Sequence, residues 1–167
     1  PRRAINVMIG PPADPKDDAR VLKLFFAKEG SHICCGGSTA HMISRYLNKP
    51  IIPVEDSGTD KVPAIATIEG MDLVTEGIIT LQQVADLAEQ YVSDNRLSIT
   101  INSGNDGVSL LCAYLFEQAT DINFFFGKAE NTANDDLDIG MDAKAIVINR
   151  LISSLREMGK NVKISRC

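Results

Sequence analysis

The sequence predicts an α/β fold: a three-layer sandwich around a mostly parallel, Rossmann-like sheet. Short apolar segments typical of buried strands alternate along the chain with longer segments whose apolar residues recur at helical spacing. Most of the strand-like segments end at or near a glycine, where a chain can turn sharply into the next helix. This alternation favours parallel strands joined by right-handed crossovers.

Composition narrows the class of protein. The 167 residues are predicted to form a single domain, residues 1–167, with 44% hydrophobic and 23% charged residues. The net charge of −5 argues against nucleic acid as a partner, since phosphate binding needs a basic face. There is no membrane-length apolar run, no signal-peptide pattern and no disulfide-type spacing of the four cysteines. We therefore expect a cytoplasmic protein with reduced thiols. Because Pro1 lies so close to the first strand, we also expect a segment of a longer chain.

Each element has a local signal. The predicted strands are residues 4–9, 32–35, 51–52, 62–68, 73–74, 97–101, 121–126 and 162–164. The first predicted helix begins at Asp14-Pro15, with Asp14 as its cap. Four more helices are predicted at residues 38–48, 80–92, 108–119 and 143–158. The third helix is expected to begin with a capping box formed by Thr80 and Gln83. The final helix is expected to bury a stripe that includes Ile146 and Leu151.

Four loops are predicted at the carboxyl ends of the strands: residues 10–12, 36–39, 69–77 and 127–140. We call these loops the glycine rim, because ligands of open α/β sheets bind at that edge. The candidate ligand-binding residues are Gly10, Gly36, Gly37, Ser38, Thr39, Glu69, Asp72, Thr75 and Glu76. The glycines would let a small anion approach the backbone, and the amides of residues 38–40 would point at it. The alternative is an ordinary turn in which Ser38 caps the helix.

Two acidic groups allow a second kind of chemistry. Glu69, Asp72 and Glu76 could hold a divalent cation or bind ligand hydroxyls, or they could be part of a solvated loop. Residues 135–142 contain four aspartates, but their spacing does not match a calcium-binding loop. We assign no metal ligand and expect Ser38 and Glu76 to lie near each other.

The pair Cys34-Cys35 lies beside His32 and His41 and raises the question of a metal or nucleophile site. Strand alternation sends the two cysteines to opposite faces, and no C-x-x-C or H-x-x-x-H spacing occurs. A catalytic Cys35 at the helix start is a further alternative. Small buried cysteines in a strand are the favoured interpretation, and we assign no catalytic residue.

Several motifs occur in the order found in one protein family. They are residues 7–12 (VMIGPP), 35–40 (CGGSTA), 68–77 (IEGMDLVTEG), 105–107 (NDG) and 122–127 (INFFFG). With these motifs the chain resembles the C-terminal region of bacterial protein serine/threonine phosphatases of the stage II sporulation protein E family, which belong to the metal-dependent type 2C class. The resemblance covers nearly the whole chain, and residues 69–77 are its most specific part.

The resemblance implies a catalytic domain upstream of Pro1, whose aspartates hold two Mn²⁺ or Mg²⁺ ions and activate water to attack a phosphoprotein. No motif for those aspartates occurs here, so no cofactor is expected in this segment. The family pattern has a Pro-Ala-His run after the 121–126 strand, where this chain has residues 131–134 (NTAN), which weakens a catalytic role for that loop.

Three functions remain open from the sequence. The first is a regulatory domain of such a phosphatase that binds a small anionic ligand or partner at the glycine rim. The second is a small enzyme acting on a phosphorylated or carboxylated metabolite at the same rim. The third is a packing or dimerisation module, with a homodimer as one possible assembly.

Overall fold

The computed structural model describes residues 1–94, 104–129 and 137–167, and it shows the predicted α/β sandwich with a mostly parallel sheet. The described strands are β1 (Ala4–Ile9), β2 (Ser31–Cys35), β3 (Ile52–Pro53), β4 (Ala66–Thr67), β5 (Leu73–Thr75), β6 (Asp121–Phe126) and β7 (Asn161–Arg166). The described helices are α1 (Asp18–Ala27), α2 (Gly37–Leu47), α3 (Ile78–Ser93), α4 (Gly107–Cys112) and α5 (Leu137–Glu157). A 3₁₀ turn, Pro15–Asp17, precedes α1, and a π-helical segment, Ala113–Gln118, continues α4.

The order of the strands shows where the chain reverses direction across the sheet. The described strands are arranged as β3-β4-β5-β2-β1-β6-β7; β5, β2, β1, β6 and β7 pair in parallel, whereas β4 pairs antiparallel with both β3 and β5. The chain moves from β1 to β2 on one side and later returns to β6 on the other side. The switch point of this doubly wound sheet therefore lies between β1 and β6, and the crevice above it is the usual ligand position.

The two faces of the sheet carry separate cores. Met8 and Cys34 belong to the core on the α1 and α2 side, whereas Val7 and Cys35 belong to the core that includes residues of α3, α4 and α5. This arrangement confirms that Cys34 and Cys35 point to opposite faces, as strand alternation requires. Because both faces of the sheet are buried, the parallel strands have nearly continuous runs of apolar residues.

The predicted strand at residues 62–68 is wrong in extent, because only Ala66–Thr67 is a strand. Pro63 has no amide to donate to a strand neighbour. Side chains take the place of a sheet partner around it: the Val62 amide donates to the Thr59 hydroxyl at 2.9 Å, and the Ile65 amide donates to the Ser57 hydroxyl at 3.0 Å. The segment is therefore a loop with side-chain hydrogen bonds.

The capping box predicted for the third helix is also wrong. Helix α3 begins at Ile78, with Gly77 as its N-cap, so Thr80 lies inside its first turn. The Thr80 hydroxyl is buried without a hydrogen-bond partner, while the Thr80 amide donates to the Glu76 carboxylate at 3.0 Å. Glu76, one residue before the N-cap, thus satisfies an amide at the helix start.

The final helix begins earlier than predicted and turns a different stripe inward. Ile146 is 59% exposed, whereas Ile148 and Leu151 are buried. The strand predicted at residues 97–101 lies outside the described residues. Over the part of the chain that the structure describes, no helix is both long and apolar enough to span a membrane.

Candidate functional site

The first contact of the glycine rim joins the ends of β1 and β2. The Gly10 amide donates to the Thr39 hydroxyl at 2.8 Å, and this hydroxyl donates to the Cys35 carbonyl at 3.1 Å. Thr39 is 1% exposed, so its hydroxyl is used within the protein. Thr39 therefore shapes the rim and does not offer its side chain to a ligand.

A second contact joins the ends of β2 and β5. The Gly36 amide donates to the Thr75 carbonyl at 2.9 Å, and a Cβ atom built on Gly77 would lie 3.4 Å from the Gly36 Cα. Cys35 and Thr75 are also register partners. The loops that carry Ser38 and Glu76 therefore meet, although 38 residues separate those two positions in the sequence.

A third contact closes the rim at the switch point. The Gly127 amide donates to the Ile9 carbonyl at 2.9 Å. A Cβ atom on Gly127 would lie 2.0 Å from the Pro11 oxygen and 2.1 Å from the Gly10 oxygen, so only glycine fits there. The ends of β1, β2, β5 and β6 thus form one continuous edge.

Helix α2 presents unsatisfied amides at this edge. Its N-cap is Gly36, which has φ 113° and no side chain to bond the first amides. Ser38 is the second helical residue, makes no cap hydrogen bond and is exposed, as is Gly37. The alternative in which Ser38 caps the helix is therefore wrong, and the amides that follow Gly36 are open to an anion.

Lys144 of α5 brings a positive charge to the same edge. Its Nζ lies 3.0 Å from the position of a Cβ built on Gly10 and 5.8 Å from the centre of the Phe126 ring. Among the described residues, no carboxylate lies within ion-pair distance of this ammonium. Burial lowers the pKa of Lys144, and the nearby Cys35 has a smaller opposing effect.

Sequence reasoning missed Lys144, although its position contained a signal. The buried stripe of α5 includes Val147, Ile148 and Leu151. Lys144 precedes Val147 by three residues and Ile148 by four, so it lies on the same helix face. A lysine on the apolar stripe of a helix is an exception to the usual pattern and could have been singled out.

Cys35 is buried beside the rim but is not poised as a nucleophile. Its burial raises the thiol pKa to about 12. A hydrogen bond with Thr75 and the charge of Lys144 lower that pKa, while the charge of Glu76 raises it further. A reactive cysteine requires the opposite shift, so this geometry argues against the catalytic-cysteine alternative.

Glu69 and Asp72 lie at the other edge of the sheet, which corrects their expected place on the rim. Both precede β5, and the Asp72 carboxylate accepts from the His32 amide at 2.7 Å near the start of β2. Glu69 pairs with Lys49 at 2.6 Å, which lowers the Glu69 pKa. They were grouped with Glu76 because the preceding strand was expected to run parallel to its neighbours, whereas β4 is antiparallel to β5 and therefore ends at the opposite edge.

The structure does not bring Glu69, Asp72 and Glu76 together as a cation site. Within the described ranges, no three histidine, cysteine or acidic side chains are arranged to hold a metal ion. The side chains of the acidic segment 135–142 lie outside what the structure describes.

Three surface clefts of about 510 to 600 Å³ are described, and they lie away from the glycine rim. Two run along α3, one of them also lined by α5, and the third lies at the edge where the parallel strands begin. In the described residues, the site at the rim is therefore defined by its exposed amides and its lysine.

Comparisons with protein-family models, with curated proteins and with solved structures found no match for this chain. Its function is therefore inferred from the site and from the motif resemblance.

Proposed function

We propose that this chain is a ligand-binding domain that holds a small anionic molecule at its glycine rim and regulates an attached protein serine/threonine phosphatase. The observation that carries the binding proposal is the Lys144 ammonium, which lies beside Gly10 near the switch point without a carboxylate partner among the described residues. Doubly wound sheets bind their ligands at this place.

The energetics of Lys144 favour an anion as the ligand. A partly buried ammonium loses hydration, and its lowered pKa reflects that loss. A bound phosphate or carboxylate would compensate for the loss with a charge-assisted hydrogen bond. The exposed amides at the start of α2 add donors and the positive end of a helix dipole.

Glu76 further restricts the chemical groups that the ligand can carry. One of its carboxylate oxygens accepts a hydrogen bond from the Thr80 amide. The charges of Glu76 and Lys144 both shift the pKa of the Cys35 thiol, in opposite directions, so both groups lie near that thiol. A carboxylate is only an acceptor, so its remaining capacity suits a hydroxyl or amine. We propose a ligand with an anionic group toward Lys144 and a hydrogen-bond donor toward Glu76.

The motif resemblance supports the regulatory part of the proposal. The partner would be an upstream phosphatase domain, which would carry the aspartates, the Mn²⁺ or Mg²⁺ ions and the activity on a phosphoprotein. This segment would contribute ligand binding only. Dephosphorylation of a phosphoserine peptide by residues 1–167 with added Mn²⁺ would contradict that division.

A thermal-shift screen tests the binding proposal. Inorganic phosphate and phosphosugars with a single phosphate group are added to the wild type, to Lys144→Met and to Lys23→Met, which removes an exposed lysine of α1 as a matched control. A ligand that binds the folded state raises the melting temperature by mass action. We expect a shift in the wild type and Lys23→Met and none in Lys144→Met; equal shifts in all three would contradict the proposal.

The lowered pKa of Lys144 also favours a second candidate, a small enzyme acting on a phosphorylated or carboxylated metabolite. A partly buried lysine can move a proton during a reaction. Turnover of such a metabolite that is lost in Lys144→Met and kept in Lys23→Met would favour the enzyme. Glu76→Ala is a poorer test, because Glu76 also satisfies an amide of α3.

A further inference from the structure

One of the three surface clefts, here called the basic cavity, lies at the edge of the sheet opposite the glycine rim, where the parallel strands begin. It has a volume of about 600 Å³, which is within the usual range for small-molecule sites. Its lining includes four basic side chains. These are Arg2, Arg3, Lys28 and Lys163.

The register of the sheet places two polar residues of the cavity lining, Asn123 and Lys163, in one row of side chains. His32, Asn6, Asn123 and Lys163 are successive partners across β2, β1, β6 and β7, and in-register residues of parallel strands share a face. This face packs against α1 and α2, and the core there includes residues of β1, β2, β5 and β6. Along the row, Asn6 is fully buried, His32 and Asn123 are half-buried, and Lys163 at the outer strand is exposed.

Hydrogen bonds from the buried Asn6, next to the cavity lining, hold several lining residues in place. The Asn6 amide nitrogen donates to the Glu29 carbonyl at 3.0 Å and to the Ser31 carbonyl at 3.1 Å. The Asn123 amide nitrogen donates to the Asn6 side-chain oxygen at 2.9 Å. The two asparagines therefore fix the loop before β2 against β1 and β6, so the cavity has a defined shape before any ligand arrives.

The charge of this cavity contrasts with that of the chain. Arg2 pairs with Asp121 at 3.2 Å. Among the described residues, Arg3, Lys28 and Lys163 have no carboxylate within ion-pair distance, and Glu29 is the one acidic residue of the lining. Positive charge thus accumulates here in a protein whose net charge is −5.

We infer that this cavity binds a small polyanion, a molecule with two or more phosphate or carboxylate groups. The cations come from separate elements, with Arg3 just before β1, Lys28 after α1 and Lys163 on β7. A ligand with several anionic groups can contact more than one of them at once, whereas a single carboxylate cannot. The site is separate from the glycine rim and does not depend on Lys144.

Calorimetric titration with pyrophosphate at constant ionic strength tests this inference. The proteins are the wild type, the double variant Arg3→Gln/Lys163→Gln, the single variant Lys163→Gln and Lys144→Met. We expect Lys144→Met, which lacks the lysine of the glycine rim, to keep the pyrophosphate site of this cavity, the double variant to bind pyrophosphate at this site at least about tenfold more weakly, and the single variant to lie between them. Melting temperatures confirm that each variant is folded, and the single variant serves if the double one is not.

Three results would overturn the inference. The first is no heat of binding for the wild type at millimolar pyrophosphate. The second is equal pyrophosphate affinity in the wild type and in both the Arg3→Gln/Lys163→Gln and Lys163→Gln variants. The third is loss of binding in Lys144→Met alone, which would place the pyrophosphate at the glycine rim and leave the proposed function intact.

Discussion

The Gly10 amide donates a 2.8 Å hydrogen bond to the Thr39 hydroxyl, and this bond ties the end of β1 to the first turn of α2. The same hydroxyl donates to the Cys35 carbonyl at the end of β2. One buried side chain therefore holds two strand ends and one helix start together. The geometry of the glycine rim depends on it.

Replacing Thr39 tests this role. Thr39→Val keeps the shape of the side chain but leaves the Gly10 amide without its described partner, which should cost about 1–3 kcal/mol of unfolding free energy. Thr39→Ser keeps the hydroxyl and should lose less. Urea unfolding followed by circular dichroism measures both. Equal losses in the two variants would show that the hydroxyl contributes little.

The second prediction compares alanine substitutions at two glycines, Gly127 at the switch point and Gly37 at the start of α2. A Cβ on Gly127 would meet the Gly10 and Pro11 oxygens, whereas one on Gly37 would meet no atom within 4 Å. Gly127→Ala should therefore destabilise the fold by about 1–3 kcal/mol or more. Gly37→Ala lies in a helix and should be neutral or slightly stabilising. Melting curves compare the two, and a neutral Gly127→Ala would contradict the close contact of the loops.

Asp121 gives a prediction about acid stability. Hydrogen bonds from Thr120 and Asn161, together with the charge of Arg2, hold its pKa below the ordinary value of 3.8. The unfolded chain therefore binds this proton first as the pH falls, so the stability contributed by Asp121 is present above about pH 4 and lost below it.

Asp121→Asn removes this contribution. The variant should be less stable than the wild type at pH 7, and the difference should shrink as the pH falls to 3. Urea midpoints measured at several pH values give the comparison. A stability difference that does not change with pH would mean that the charge of the Asp121 carboxylate does not stabilise the start of β6.

The four thiols give a fourth prediction, about chemical reactivity. Burial raises the pKa of Cys34, Cys35 and Cys112, and Cys167 is the one that is only half-buried. A thiol reagent at pH 8 should therefore label Cys167 first in the folded protein and all four only after unfolding. Mass spectrometry after brief labelling shows the sites. Rapid labelling of Cys35 would restore the nucleophile alternative.

Much of the fold was predictable because its signals are local. The Asp14-Pro15 start was confirmed, since Asp14 accepts from the Lys16 amide at 3.0 Å. The apolar run of β6 and the alternation of Cys34 and Cys35 were confirmed as well. These features depend on propensity and spacing, which a short stretch of sequence contains.

The errors arose where contacts distant in sequence decide the structure. Most of residues 62–68 form a loop because the Thr59 and Ser57 hydroxyls accept hydrogen bonds from backbone amides of this segment. The start of α3 depends on Glu76, so the pattern at Thr80 and Gln83 was misleading. Propensity is a weak prior when such contacts compete with it.

The candidate site was predicted in part. The loops of Gly10, Gly36 and Thr75 do meet, because a parallel sheet gathers the carboxyl ends of its strands. Lys144 was missed, since its approach to Gly10 follows from the crossover that brings α5 over the sheet. The apolar stripe of α5 marks Lys144 as unusual, but the local pattern does not show which loop the lysine reaches.

The most direct test of the account is the dissociation constant for inorganic phosphate, measured by calorimetry for the wild type and Lys144→Met. Because the ammonium is partly buried without a described carboxylate partner, Lys144→Met should fold at least as stably as the wild type while binding phosphate about tenfold more weakly or not at all. The double variant Arg3→Gln/Lys163→Gln should still bind inorganic phosphate at the glycine rim, because Lys144 is unchanged. Equal phosphate affinity in the wild type and Lys144→Met would contradict the central claim.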